Sequence, residues 1–246
     1  MPATLVIQSH RDPLPYSWLR PCLESVKRWA RANAYDYRFV GDELFDPIAP
    51  ELLEKTASQR VIASDLARLK WMQASLADSY QCVVWCDADF LIFDAQRFIL
   101  PGTDYALGRE VWVQQDKGGK LRVYKKVHNA FLMFRRGNHF IDFYTDTAER
   151  LLRLNRGRMP PQFIGPKLLT ALHNIAICPV LENAAMLSPL VMRDLLVGKG
   201  DALALFGEKS AELPAGVNLS CSLSEAEGFS DSDMETLIAI LLDKGI

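Results

Sequence analysis

Two acidic side chains, Asp87 and Asp89, close the most apolar run of the sequence and are its strongest candidates for chemistry. The run before them, residues 82 to 86, reads CVVWC, and FLIFD follows the pair. Carboxylates at the end of a buried strand lose hydration and repel each other, so the pair predicts a positive group nearby. A divalent cation, Mn²⁺ or Mg²⁺, meets that need and also binds diphosphate oxygens. The simpler alternative is a strand that merely ends in two turn-forming aspartates, because this motif alone is a weak signal.

A second charged cluster precedes this pair. Asp65 and Arg68 are three residues apart and share one face of a predicted helix, with Ser64 beside them. In one interpretation, Asp65 accepts hydrogen bonds from ligand hydroxyls while the planar Arg68 cation donates to a diphosphate or to the other carboxylates. In the other, the two form a surface ion pair that contributes little.

The elements that would position these side chains alternate in type. An apolar run at 3 to 9 predicts a strand, apolar spacings of three and four from Trp18 predict a helix, and alternation at 35 to 42 predicts a second strand. Together they form a βαβ unit. Another helix is predicted over 58 to 76, with Thr56 and Gln59 at capping-box spacing. The run at 81 to 94 predicts one central strand.

Later elements follow the same alternation. Strands are predicted at 128 to 134 and 177 to 181, with helices at 138 to 154, 166 to 173 and 234 to 242. Residues 114 to 126, with Gly118 and Gly119 at a turn, predict a basic, exposed hairpin or flap. The chain is therefore expected to be a single α/β domain over residues 1 to 246, with a Rossmann-like, mostly parallel sheet flanked by helices.

Charge and cysteine content exclude some classes of function. The formal net charge is -2 and the pI about 6.1, which disfavours a nucleic-acid partner. The five cysteines lack the paired spacing of zinc sites and are typical of reduced thiols. No signal peptide or run of roughly 20 apolar residues is evident, so we expect a cytoplasmic protein with at most peripheral membrane association.

Four segments resemble blocks of the GT-A glycosyltransferases that carry SDxxR and DxD motifs, such as fungal initiating mannosyltransferases and glucosylating bacterial toxins. They are SDLARLKWM (64 to 72), CDADFLIFD (86 to 94), HNAFLMFRRGNHFIDF (128 to 143) and GPKLLTAL (165 to 172). The resemblance implies a GT-A fold and metal-dependent transfer of a hexose from a UDP- or GDP-sugar, with retention. The acceptor would be a glycan, a lipid-linked molecule or a protein.

The same resemblance assigns roles along the chain. Residues 1 to 110 would bind the nucleotide sugar, and residues 111 to 246 would form the acceptor side and a C-terminal helix. Asp89 would bind the metal, Asp87 the metal or the donor ribose, and Asp65 and Arg68 the transferred sugar. Asn129, Gly165 and Pro166 would line the pocket, and Ser64 would be a further donor contact. Gln8 and Ser9 are candidate donor contacts because they follow the first strand, where a nucleotide base and ribose would lie. Asn218 is a candidate metal or diphosphate contact, with a turn residue as the alternative.

Two other functions stay open at this stage. One is a non-catalytic module of the same fold that binds a glycan or a protein. The other is a phosphatase or phosphotransferase with Asp87 as nucleophile and Asp89 as general acid; it normally has Thr or Val where this chain has Leu91. Trp112 could pack in the core or stack on a sugar, and Lys125 and Lys126 could be solvated or meet an anionic acceptor.

Overall fold

The first elements form the predicted βαβ unit. The computed structural model describes residues 4–246 and begins with strand β1 (Thr4–Ser9), helix α1 (Leu19–Ala32) and strand β2 (Asp36–Val40). β1 pairs in parallel with β2 on one side and with β3 (Cys82–Cys86) on the other. All five residues of β3 are buried, as expected of a strand covered on both faces.

The remaining elements follow in chain order. A 3-10 helix spans Asp42–Phe45, and two helices precede β3: α2 (Pro50–Lys55) and α3 (Arg60–Asp78). After β3 come the elements β4 (Phe90–Ile92), β5 (Tyr105–Gln115), β6 (Leu121–Arg135), α4 (His139–Leu154), α5 (Pro166–Ala176), β7 (Val180–Leu181) and β8 (Ala184–Met186). The chain ends with α6 (Pro189–Val197), α7 (Asp201–Lys209), β9 (Gly216–Asn218), α8 (Cys221–Ala226) and α9 (Asp231–Lys244).

The central sheet has six strands in the order β2-β1-β3-β6-β5-β7. β6 runs antiparallel to its neighbours β3 and β5, and the other five strands share one direction. Alternate residues of β1 and β3 enter two different core clusters. Ile7 and Trp85 pack with α3 and α4, whereas Val6 and Val84 pack with α1. This confirms the predicted α/β class, with a mostly parallel central sheet flanked by helices.

A second sheet of three strands lies beside the first, in the order β4-β9-β8. It corrects the prediction of one continuous strand over 81 to 94. The chain turns after β3, where the Phe90 amide donates to the Asp87 carbonyl oxygen over 3.0 Å. β4 then leaves the central sheet and pairs antiparallel with β9. The two aspartates therefore lie in the turn between two sheets.

The capping-box prediction is also wrong. Helix α3 begins after Gln59, whose side chain makes no capping bond. The Thr56 hydroxyl donates to the Leu52 carbonyl oxygen over 2.7 Å, and the Gln59 amide pairs instead with the backbone of Met159.

No helix within residues 4–246 combines the length and apolar character that a membrane span requires.

Candidate active site

A cleft of about 570 Å³ opens at the end of β3. Asp65, Arg68, Asp87, Asp89, Asn129, Pro166 and Asn218 line it, so seven residues singled out from the sequence meet in one place. They come from α3, the β3–β4 turn, β6, α5 and β9. Carboxyl ends of parallel strands are the usual position of ligand sites in α/β sheets.

Two neighbouring side chains hold one carboxylate oxygen of Asp87. Trp85 Nε1 donates to Oδ1 of Asp87 over 2.7 Å, and Nη1 of Arg68 lies 3.0 Å from the same oxygen. Oδ2 of Asp87 accepts no hydrogen bond from any residue within 4–246, and 27% of the side chain is exposed. One carboxylate oxygen is therefore anchored while the side chain remains open to the cleft.

Arg68 is a buried cation with contacts on several sides. Its Nη2 lies 3.3 Å from Oδ1 of Asp65, and its Nη1 donates to the Asn129 carbonyl oxygen over 2.7 Å. The Asn129 side chain closes the cluster by donating to Oδ1 of Asp65 over 2.8 Å. Burial disfavours the charge on Arg68, yet the carboxylates of Asp87 and Asp65 outweigh it and raise the pKa of Arg68. Burial raises the pKa of Asp65, and Arg68 opposes that change. We take both groups as charged, because each is hydrogen bonded to the other or to Asn129.

Gly165 lies against this cluster at the start of α5. A Cβ atom at this position would lie 2.6 Å from Oδ2 of Asp65 and 2.9 Å from Nδ2 of Asn129, closer than side chains tolerate. The absence of a side chain at Gly165 therefore lets α5 approach Asp65. Pro166, the first residue of α5, then lines the cleft.

Asp89 is bound by the last residue of β9 and by the segment that follows it. Nδ2 of Asn218 donates to its Oδ1 over 2.6 Å, and the backbone amide of Cys221 donates to its Oδ2 over 2.6 Å. The amide oxygen of Asn218 faces away from Asp89 and accepts from the backbone amide of Ser220 over 2.9 Å. Since that backbone donor fixes the orientation of the amide, Asn218 presents nitrogen to Asp89. In this geometry the amide nitrogen of Asn218 supports Asp89, and a metal or diphosphate contact of Asn218 remains a prediction.

The cleft carries uncompensated negative charge. Asp65, Asp87, Asp89 and Glu110 supply four carboxylates against the two cations of Arg68 and Lys126, a net charge of -2. Burial and then the neighbouring Asp87 charge raise the pKa of Asp89 to about 6. This electrostatic strain is what a divalent cation relieves, and hard oxygen donors are what Mn²⁺ and Mg²⁺ prefer. Asp87 and Asp89 therefore fit the metal in charge and in donor type. Within residues 4–246 no group of three or more His, Cys, Asp or Glu side chains is placed to hold a metal ion.

Three predicted donor contacts lie away from the cleft wall. Gln8 is fully buried; its amide donates to the Asp87 carbonyl oxygen over 3.0 Å and accepts from the Tyr37 hydroxyl over 3.1 Å. The structure thus gives Gln8 a positioning contact with Asp87. The hydroxyl of Ser64 donates to the Val61 carbonyl oxygen over 2.8 Å, and the Ser9 hydroxyl is buried without a partner in the described part of the chain. A donor role for any of the three remains a prediction.

Sequence reasoning missed one residue of the cleft wall, Glu110. Glu110 and Lys126, on the facing strands β5 and β6, line it together with Trp112. Glu110 is buried and lies 3.5 Å from the Lys126 ammonium. An acidic residue at an otherwise apolar strand position is the signal that could have revealed Glu110.

Comparison with known proteins gives structural likenesses only. No family model matches the chain, and no curated protein matches it. The solved structures that resemble it include a glycosyltransferase involved in the glycosylation of the major capsid of PBCV-1, at 10% identity and TM-score 0.48 over 97% of this chain and 100% of that one. Galactosyltransferase LgtC, in complex with donor and acceptor sugar analogs, has 13% identity and TM-score 0.49 over 96% and 95% of the two chains. Mouse xyloside xylosyltransferase 1 has 11% identity and TM-score 0.44 over 89% and 98%. Likenesses this distant carry no conclusion about activity.

Proposed function

We propose that this protein is a GT-A glycosyltransferase that moves a hexose from a UDP- or GDP-sugar to a glycan, lipid-linked or protein acceptor, with retention of configuration. The observation that carries the proposal is the cluster of Asp65, Arg68, Asp87 and Asn129 on one side of a cleft whose net charge is -2. A nucleotide sugar brings a diphosphate, and an acidic cleft accepts it only together with a cation.

Asp87 and Asp89 would hold Mn²⁺ or Mg²⁺, which when bound supplies positive charge to the departing nucleotide diphosphate. The protein residues keep that pair in place. Trp85 and Arg68 anchor one oxygen of Asp87, while Asn218 and the Cys221 amide each donate to one oxygen of Asp89. Such supporting hydrogen bonds hold ligand carboxylates in a productive orientation.

Asp65 is the residue we assign to the transferred sugar. Its Oδ1 is occupied by Arg68 and Asn129, its Oδ2 accepts no hydrogen bond from residues 4–246, and its side chain lines the cleft. A carboxylate held in this way accepts hydrogen bonds from sugar hydroxyls without first losing freedom of its own. Arg68 would act mainly by holding Asp65 and Asp87, since its donors already meet carboxylate and carbonyl oxygens.

A binding screen tests the proposal. UDP-, GDP- and CMP-sugars are titrated by calorimetry with and without Mn²⁺, and the product of any turnover is examined by NMR for its anomeric configuration. We expect binding of one nucleotide class that requires the metal, and a product with the donor's configuration. Absence of any metal-dependent nucleotide binding would favour a non-catalytic binding module. Steady phosphate release from phosphomonoesters would favour the phosphatase alternative.

A further inference from the structure

The two faces of the β5–β6 hairpin differ in character. On one face Val111 and Val113 are buried, and Leu121 and Val123 pack with them in a third core cluster that includes residues of α6 and α9. On the opposite face the register pairs Glu110 with Lys126, Trp112 with Tyr124, and Gln114 with Arg122. Because side chains alternate along a strand, these six residues form one surface, which we call the platform.

The platform continues the wall of the cleft. Glu110, Trp112 and Lys126 line the cleft, and Tyr124, which is 44% exposed, extends the surface outward from Trp112. Trp112 Nε1 donates to Oε1 of Gln114 over 3.1 Å, which fixes the tilt of the indole. Trp112 is half-buried and Tyr124 is exposed. Neither ring is needed to fill the core of the hairpin, because Val111 and Val113 do so on the opposite face. Each ring offers an apolar face of the kind that stacks on a sugar ring.

The charge of the hairpin is opposite to that of the cleft. Residues 114 to 126 hold five basic residues and one acidic residue, a net charge of +4 in a chain whose formal charge is -2. Lys126 is the basic residue nearest the cleft. Its side chain is 42% exposed, and the ammonium lies 3.5 Å from Oε1 of Glu110 and 5.7 Å from the Tyr124 ring centroid. An ammonium has three donors, so the long contact with Glu110 leaves capacity for an anionic ligand.

Lys125 does not belong to this surface, because its backbone position places it on the other face, paired with Val111. Arg122 lies at the outer end of the platform and is bound to Asp116, with Nε 2.9 Å from Oδ2. On the platform Arg122 therefore meets Asp116 and Lys126 meets Glu110, and Lys126, with a side chain that is 42% exposed, is the basic group beside the aromatic pair at the mouth of the cleft.

We infer that the platform binds an acidic sugar of the acceptor, with the sugar ring on Trp112 and Tyr124 and its carboxylate or phosphate group at Lys126. This inference rests on the proposed transferase function, since it places the acceptor beside the donor cleft. It names the acceptor class as a glycan that carries anionic groups. A single-stranded nucleic acid also combines rings with charge, but its run of phosphates would be repelled by the cleft charge of -2 more strongly than the single anionic group that an acidic sugar places at Lys126.

The test is direct binding of probe ligands to the full chain, without metal or nucleotide. The probes are a uronic acid trisaccharide, a phosphorylated trisaccharide, a neutral trisaccharide and oligo(dT), each titrated at about 50 mM and about 500 mM salt. We expect at least one acidic trisaccharide to bind about tenfold more tightly than the neutral one at low salt, and this advantage to shrink at high salt. The two acidic probes identify whether carboxylate or phosphate is preferred.

Three variants and a control separate stacking from charge. Trp112→Ala should weaken acidic and neutral trisaccharides alike by about threefold to tenfold, whereas Trp112→Phe keeps a ring and most of the affinity. Lys126→Ala should remove only the preference for acidic ligands. The control is Lys199→Ala, which changes an exposed lysine between α6 and α7 and should have no effect.

Several results would overturn the inference. They are equal binding of neutral and acidic trisaccharides to the unaltered protein, wild-type affinity in both Trp112→Ala and Lys126→Ala, or tighter binding of oligo(dT) than of any sugar. The proposed transferase function fails by a different measurement, the loss of metal-dependent nucleotide binding in the screen above. If the protein bound acidic sugars at the platform but bound no nucleotide, the sugar-binding site would stand and the transferase function would be rejected.

Discussion

Asn218 donates to Asp89 across 129 positions of sequence, with 2.6 Å between its Nδ2 and Oδ1 of the aspartate. The contact exists because β9 pairs antiparallel with β4, which places Asn218 opposite Phe90. The Cys221 amide reaches the other oxygen of the same carboxylate. The second sheet therefore connects the C-terminal third of the chain to the acidic pair.

Asp89→Asn should abolish metal-dependent nucleotide binding while the protein stays folded. The change removes one of two candidate carboxylate ligands, so the loss of Mn²⁺ affinity should exceed the roughly 10–100-fold effect of outer-shell substitutions. Calorimetry with Mn²⁺ and the preferred nucleotide measures the loss, and thermal unfolding checks the fold. Asp94→Asn is the matched control, because Asp94 is an acid in the same segment that pairs with Arg97 at 3.5 Å. Equal nucleotide affinity in the two variants would contradict the assignment of Asp89 as a metal ligand.

Asn218→Ala should weaken Mn²⁺ binding by about 10–100-fold without abolishing it, as expected for a residue that supports a ligand carboxylate. The physical reason is that Asp89 loses the donor on Oδ1 and becomes free to rotate. The measurement is the Mn²⁺ dissociation constant in the presence of nucleotide. A loss as large as that of Asp89→Asn would instead make Asn218 a direct ligand, against the orientation of its amide.

Arg68→Ala should destabilise the protein by about 3–5 kcal/mol, because it leaves the Asp65 carboxylate buried beside Asp87 without its cation. The free energy of unfolding from urea titration checks the value. The double variant Asp65→Asn with Arg68→Ala should recover part of the loss, since it removes the unpaired charge as well. If the double variant were less stable by the sum of the single effects, Asp65 and Arg68 would not be coupled.

Gly165→Ala should cost about 1–3 kcal/mol of stability and lower activity, because the new methyl group would press on Asp65 and Asn129 at 2.6 and 2.9 Å. Gly102→Ala is the matched control, since a Cβ at Gly102 meets no atom within 4 Å. Both variants are compared by urea unfolding and by nucleotide binding. Indistinguishable behaviour of the two would show that α5 can move away from Asp65 without consequence.

His128 should make the protein less stable as the pH falls below 6.5. The ring is buried, donates from Nε2 to the Ala184 carbonyl oxygen over 3.1 Å and accepts from the Ala130 amide over 3.2 Å. Burial lowers its pKa to about 4. The unfolded chain takes up the proton near pH 6.5 and the folded chain only near pH 4, so stability present above pH 6.5 is lost across that window. Between pH 6.5 and pH 5 the loss is about 2 kcal/mol.

The comparison protein for this measurement is His128→Gln, studied by urea unfolding at both pH values without metal. Asp89 acts with the opposite sign, because its raised pKa of about 6 makes the folded chain take up a proton first. Both proteins retain Asp89, so the difference between their pH slopes reports His128 alone. Equal slopes would mean that the buried ring titrates normally.

Much of the fold could be predicted because local patterns report which face of an element is buried. The spacing of apolar residues over 58 to 76 predicted α3 (Arg60–Asp78), and the βαβ order predicted the parallel strands β1, β2 and β3. The same patterns placed Asp87 at the end of a buried strand and put Asp65 and Arg68 on one helical face. These are relations between residues that are close in sequence.

Only the tertiary structure decided which distant groups meet. It divided the apolar run at 81 to 94 between two sheets, turned the amide oxygen of Asn218 toward Ser220, and placed Trp112 and Lys126 at the mouth of the cleft. Hydrophobic periodicity states that a face is covered, but it does not state by which element, because many partners bury a given apolar face equally well. The pairing of β4 with β9 and the register of β5 with β6 depend on the packing of the whole chain, and these long-range contacts determine the composition of the cleft.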